Sequence, residues 1–294
     1  MKTLYILDGY SSMYTSYFAG YSTGLCAPSG EPTYGTYIFV KTILKILNEY
    51  KPDMFCIAVD GPAKTFRKII YEKYKANRKK EMPKDLLPQI NRMKQILELM
   101  GFPIYYAPGF EADDVIATIV EKIPLYFPEE LVFVAICSKD KDLLQLTKYE
   151  WVEVVDVYKG TGMFYDDVVE KYKLQPSQFP DYLGLVGDLT DNIPGVKGIG
   201  PKTATKLLQE FGTGENIYLN LDKIKGKVHA KLLDGQESFT LSKKLATVRK
   251  DVDIEINFTD MKRREPNWDK LNSIFEELDF ESLAKEKFGN RELL

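Results

Sequence analysis

Three short stretches of apolar, β-branched or aromatic residues each lead to an aspartate: residues 3–7 to Asp8, residues 54–59 to Asp60, and residues 132–137 to Asp140. Runs of this composition read as buried strands. In an open α/β sheet, ligands gather beyond the carboxyl ends of the strands, so acids far apart in sequence converge there. A fourth group, Glu111-Ala112-Asp113-Asp114, precedes an amphipathic run over 115–120 and so opens a helix. A single acidic helix start is commonly only a cap, favoured by the helix dipole. Asp142, close behind Asp140, and the pair Asp188 and Asp191 bring the set to nine acids in five groups. The expected fold class is α/β, with a mostly parallel sheet carrying these acids at one end.

Carboxylates gathered this closely repel and raise one another's pKa unless a cation neutralises them. Hard oxygen donors select Mg²⁺ or Mn²⁺. Zinc hydrolases and histidine-based triads are excluded by inventory, because the chain has one histidine, His229, and three separated cysteines, Cys26, Cys56 and Cys137. Cys56 and Cys137 lie inside expected strands and pack as small hydrophobes, so no disulfide framework is expected. The first strand begins at once, without a signal-peptide pattern, and no apolar run reaches membrane-span length. A soluble, cytoplasmic protein without membrane contact is expected.

Without the nine clustered carboxylates, the formal net charge of −3 becomes +6. Residues 64–84 concentrate that excess, with nine Lys or Arg against Glu72 and Glu81. Phe66, Tyr71 and Tyr74 interleave with the cations, offering phosphate neutralisation together with faces for stacking. Helical spacing would project Tyr71, Tyr74, Lys75 and Arg78 from one side, and a second helix is expected over about 86–100. The segment reads as a mobile helical lid following the Asp60 strand.

The stretch Gly195-Val-Lys197-Gly198-Ile-Gly200-Pro-Lys202 lacks both the G-x-G-x-x-G order and a Walker sequence, which argues against nucleotide binding. Short helices over 179–187 and 202–211 around this glycine turn form a helix–hairpin–helix. Its backbone N–H groups and lysines can meet a phosphodiester backbone without reading base identity.

Taken together, Asp8-Gly9, residues 55–60 with Thr65-Phe66-Arg67, Tyr74-Lys75-Ala-Asn-Arg78, Gly109-Phe-Glu-Ala-Asp-Asp-Val115, Lys139-Asp-Lys-Asp-Leu143 and residues 187–200 resemble the 5′-nuclease domain of bacterial DNA polymerase I, in the flap endonuclease family. The tail, residues 261–267 with Phe280-Glu-Ser-Leu283, is similar as well. The resemblance implies a PIN-like, mostly parallel central sheet flanked by helices, a helical arch over about 64–100, and a C-terminal helix–hairpin–helix region that grips duplex DNA and holds a monovalent cation, K⁺. It implies that Asp8, Asp60, Glu111, Asp113, Asp114, Asp140, Asp142, Asp188 and Asp191 hold two Mg²⁺ or Mn²⁺ ions, roughly 4 Å apart in two-metal sites. Lys75 and Arg78 would act on the scissile phosphate, Tyr74 would stack on an unpaired base, and Arg67 would contact the strand. The hairpin residues Gly195, Lys197, Gly198, Gly200 and Lys202 would bind DNA.

The implied activity is structure-selective 5′-3′ exonuclease and flap endonuclease cleavage of DNA bearing a 5′ flap, nick or 5′ end. RNA-primed 5′ ends, primer removal and DNA repair belong to the same expectation, as does a monomeric state. Thr15 departs from the pattern, since relatives commonly carry arginine there; Lys2 or the arch are the cations expected to compensate. The expected organisation is a catalytic domain over 1–174, a helix–hairpin–helix region over 175–253 and an extension over 254–294, a stand-alone nuclease or part of a polymerase. The competing readings are a DNA-binding homologue without catalysis and a PIN-type ribonuclease. A haloacid-type phosphatase is disfavoured by Tyr10 at the position of its second aspartate.

Overall fold

A computed structural model describes residues 1–78, 83–262 and 266–285. Among them, β1 (Lys2–Asp8), β2 (Met54–Ala58), β3 (Ile104–Tyr105), β4 (Val132–Cys137), β5 (Val152–Asp156) and β6 (Thr161–Met163) form one sheet in the order β3-β2-β1-β4-β5-β6. The first five run parallel and β6 returns antiparallel to β5. Strand order reverses direction between β1 and β4, so the crevice beyond their carboxyl ends is the topological switch point. Asp8 ends β1 at that place.

The strands are apolar along their length because helices cover both faces, as expected of a parallel sheet. Tyr5, Leu7, Phe55 and Ile57 face α1 (Gly9–Gly20), α2 (Tyr34–Lys45) and, beyond α3 (Phe66–Ile70), the long α4 (Leu86–Leu99). Leu4, Ile6, Met54 and Cys56 alternate to the other face, against α5 (Ala112–Tyr126), a 3-10 helix over Lys141–Lys148, and α6 (Tyr165–Tyr172). A separate core unites α7 (Phe179–Val186), α8 (Pro201–Phe211), α9 (Gly214–Leu219), α10 (Gly226–Asp234) and α11 (Gln236–Ala246). Beyond it the chain returns to the sheet. Phe55 N–H donates to Met261 O at 2.8 Å, and α12 (Trp268–Glu277) and α13 (Glu281–Lys285) complete the first face.

β3 is confined to Ile104–Tyr105, because Pro103 before it has no N–H to give a ladder. Two expectations are corrected. The arch is not a helix through Tyr71–Arg78: α3 stops at Ile70, turns follow, and Lys75 takes a left-handed φ of 53°. Nor is α4 a lid. Leu86, Ile90, Met93 and Leu97 are buried in the main core, and Asp85 before it accepts hydrogen bonds from Tyr17 and Tyr34 at 2.9 and 2.5 Å. Lys79, Lys80 and Glu81 of the basic segment lie outside the described residues.

Candidate active site

Each acid is placed by the local geometry of its own element. Asp8 caps α1 by accepting Ser11 N–H at 3.3 Å, and Ser138 Oγ donates to its other oxygen at 2.8 Å. Asp60, just past β2, accepts Ala112 N–H at 2.9 Å and so ties the β2 end to the start of α5. Glu111 is the N-cap of α5, in a capping box with Asp114. Asp140 caps the 3-10 helix through Asp142 N–H at 2.9 Å. Asp188 follows α7, accepts Thr190 N–H at 2.8 Å and pairs with Lys141 at 3.0 Å.

Asp8, Asp60, Glu111, Asp113 and Asp140 line one cavity of about 700 Å³ at the switch point. Asp142, Asp188 and Asp191 form a neighbouring group, and Asp140 repels members of both. Burial drives the Asp8 carboxyl up to about 7, reinforced by Asp140 and Asp60 and opposed by the Ser138 hydrogen bond. Burial and neighbouring carboxylates likewise raise Asp113, Asp140 and Asp142. One buried oxygen of Asp142 has no hydrogen-bond partner. As the side chains stand, no three acids, histidines or cysteines among the described residues converge on one point. The chemistry of the set nevertheless fits a hard divalent cation: all-oxygen donors, an orphaned buried carboxylate oxygen, and mutual repulsion that an ion would relieve.

Besides the buried Arg67, which lies 3.7 Å from Glu111, three cations hold this cluster together. Lys75 Nζ lies 2.9 Å from Glu111 and 3.6 Å from Asp191, and Arg78 Nη2 lies 2.6 Å from Asp191. Burial alone would raise Asp191, yet Lys75 and Arg78 hold its carboxyl below the usual range. The turn carrying them is pinned by Lys75 N–H to Asp191 O at 2.8 Å and by Asn77 and Asn192 side-chain amides donating across the same gap. Lys141, on the 3-10 helix, is the third.

The geometry corrects several individual roles. Arg67 is not placed to contact a strand: it is buried, forks onto Asp114 with contacts of 2.6 and 2.8 Å, and donates to Leu245 O and Thr247 O. Asp114 is therefore a structural partner, its oxygens also accepting from Glu111 and Arg249 N–H, which leaves little capacity for an ion. Tyr74 is 3% exposed, and its hydroxyl donates toward Glu111 and Asp191, so its ring is not offered to a base. Lys2 pairs with Glu130 at the opposite end of β1 from Asp8 and does not compensate for Thr15.

In the hairpin between α7 and α8, Lys197, Gly198 and Lys202 are exposed, but Gly195 is buried and its N–H donates to Ser242 Oγ at 2.9 Å. Gly195 serves close packing: at φ 63°, a Cβ would lie 2.4 Å from Gly187 N. Gly200 is the N-cap residue of α8. Sequence reasoning missed Ser138 and Lys141, although both stand inside or beside the quoted Lys139–Leu143 motif; only its acids carried a chemical signal.

The raised Asp8 carboxyl couples ion binding to pH. Against an ordinary carboxyl at 3.8, the folded metal-free protein carries a proton that it loses only near pH 7. Its stability contribution from this group is present at low pH and is lost as pH rises through 7. Divalent-ion binding at pH 6 should therefore release protons, seen as a buffer-dependent heat in calorimetry, and release fewer at pH 9. Equal heats in buffers of different ionisation enthalpy at pH 6 would contradict this.

Residues 3–173 match the family described as 5′-3′ exonuclease, N-terminal resolvase-like domain, and residues 174–269 match its C-terminal SAM fold. A 5′-3′ exonuclease of Aquifex aeolicus is 41% identical over 97% of this chain and 95% of its own length. DNA polymerase I of Caldicellulosiruptor bescii is 40% identical over 96% of this chain, which spans 33% of that polymerase. A structure of T5 5′-exonuclease with divalent metal ions (zinc) bound has a TM-score of 0.67 at 26% identity, covering 83% of this chain and 89% of that one. The catalytic core of Rad2 in complex with DNA substrate shares the fold, with a TM-score of 0.63 at 17% identity over 98% of this chain and 91% of that one.

Proposed function

The chain belongs to the 5′-3′ exonuclease family, a family of metal-dependent nucleases, and from that membership we propose that it cuts DNA at 5′ flaps, nicks and 5′ ends within the cavity beyond β1 and β4. The observation carrying this reading is the overhang of Lys75 and Arg78 on a cavity floored by carboxylates, which joins phosphate-seeking cations to a divalent-ion cradle. Asp8, Asp60, Glu111, Asp113 and Asp140 would hold one Mg²⁺ or Mn²⁺, and Asp142, Asp188 and Asp191 would hold a second. When bound, such ions supply an activated water and neutralise the leaving oxygen.

The protein's own residues orient the strand. Lys75 and Arg78, which otherwise offset Glu111 and Asp191, turn part of their donor capacity to the scissile phosphate and offset charge growing on its oxygens. Ser138 keeps Asp8 aimed at the cavity. Lys197, Lys202 and the hairpin N–H groups other than that of Gly195 grip the duplex through phosphates alone, so recognition follows shape rather than sequence. Support for a K⁺ ion at the hairpin comes from the resemblance, and RNA-primed 5′ ends follow from the same backbone-only grip.

Lys75→Ala should slow single-turnover cleavage roughly a hundredfold, since one preorganised donor to a developing oxyanion is lost. Its folding should survive, because Lys75 is partly exposed and the main core does not include it. Rates on a flap duplex, single-stranded DNA, blunt duplex and structured RNA distinguish the proposal from a ribonuclease. Preference for RNA over the flap would reject it.

A further inference from the structure

We propose that Lys139 takes a backbone phosphate of the bound strand on the β4–β5 side of the acid cavity; this rests on the reading of the chain as a 5′ nuclease. Ser11 and Thr15 of α1 line the acid cavity and also a narrow cleft beside it, whose far wall is Ser138, Lys139 and Tyr158. Lys139 thus stands one residue from Asp140 and one from the serine that orients Asp8.

Its ammonium is held in place without being neutralised. Lys139 Nζ sits 4.5 Å from the centre of the Tyr158 ring, within cation–π range. That ring is itself fixed, because the Tyr158 hydroxyl bonds Ser12 Oγ at 2.9 Å and Ser16 Oγ at 2.8 Å. Lys75, Arg78 and Lys141 each pair with a carboxylate of the cluster, whereas Lys139 makes no ion pair among the described residues. An exposed ammonium keeps three donors for an incoming anion, and the tyrosine face limits where they point. A phosphodiester passing from the cavity over Thr15 would meet it. With Thr15 uncharged, Lys139 is the cation that lines this side of the cleft.

The test measures binding of a fluorescent 5′-flap duplex across a KCl series, with Ca²⁺ in place of Mg²⁺. Lys139→Met should weaken binding roughly fivefold and lower the magnitude of the log K against log salt slope by about 0.9, one phosphate's worth. Lys139→Arg should keep both, and the melting temperature should not move in either variant. Adding Thr15→Arg to Lys139→Met should restore the slope, because position 15 lines both spaces. An unchanged slope in Lys139→Met, or a loss that tracks a lower melting temperature and is not restored at position 15, would overturn the proposal. If the unaltered protein neither binds nor cuts the flap, the 5′-nuclease reading itself falls.

Discussion

Asp113→Asn is expected to slow flap cleavage roughly a thousandfold while leaving duplex affinity within a few-fold of the unaltered protein. Asp113 projects from the first turn of α5 into the acid cavity, half-buried and without an ion pair of its own among the described residues. Burial, Asp140 and Asp8 all push its carboxyl up, so in the metal-free protein this charge opposes folding. Removing it should raise the melting temperature without ions and shrink the further rise that Mg²⁺ brings. This pairing of a large loss of rate with a gain in metal-free stability separates a ligand from a structural acid. Full cleavage by Asp113→Asn would show that the cage is misassigned.

Arg67→Met should do the opposite, acting on the fold before the chemistry. Its guanidinium is 3% exposed and joins α3, α5 and the end of α11 through Asp114, Leu245 O and Thr247 O. Burial alone would make the arginine easier to neutralise, but Asp114 and Glu111 more than reverse that. Breaking a buried pair from one side leaves an uncompensated charge and typically costs about 3–5 kcal/mol. At the scaling of larger domains this lowers the melting temperature by roughly 10 °C. Arg67→Met combined with Asp114→Leu should recover much of the loss, since neither charge is then stranded. A melting temperature unchanged by Arg67→Met would remove Arg67 from this role and return it to the candidates for strand contact.

These two residues also mark where sequence was readable and where it was not. The strand ends bearing Asp8, Asp60 and Asp140 were legible because a buried parallel strand needs an uninterrupted apolar run, and the run stops where the crevice begins. The helices at 86–99, 179–186 and 201–211 were legible from periodicity and punctuating Pro and Gly. The arch was not. Tyr71, Tyr74, Lys75 and Arg78 have helical spacing, but Tyr74 is drawn into a small core with Leu183, Ile193 and Leu245, and Lys75 bends left-handed to reach Asp191 O. Tertiary partners more than a hundred residues away decide that conformation, and no local pattern encodes them. For the same reason Asp114 read as one more ligand: its separation from Asp113 depends on which side of a helix start meets Arg67.

The cysteines follow the local rule, with Cys56 and Cys137 buried in β2 and β4 and raised by burial beyond ordinary reactivity. Among the described residues no helix is long and apolar enough to cross a membrane.

Cleavage of 5′ DNA ends with divalent ions in the cavity beyond β1 and β4 can be followed on a 5′-end-labelled flap duplex with the unaltered protein. With Mg²⁺ present, short labelled products should appear from the flap and its junction, and chelation should abolish them. A flap left intact by saturating protein in Mg²⁺, or cut equally well in chelator, would contradict it.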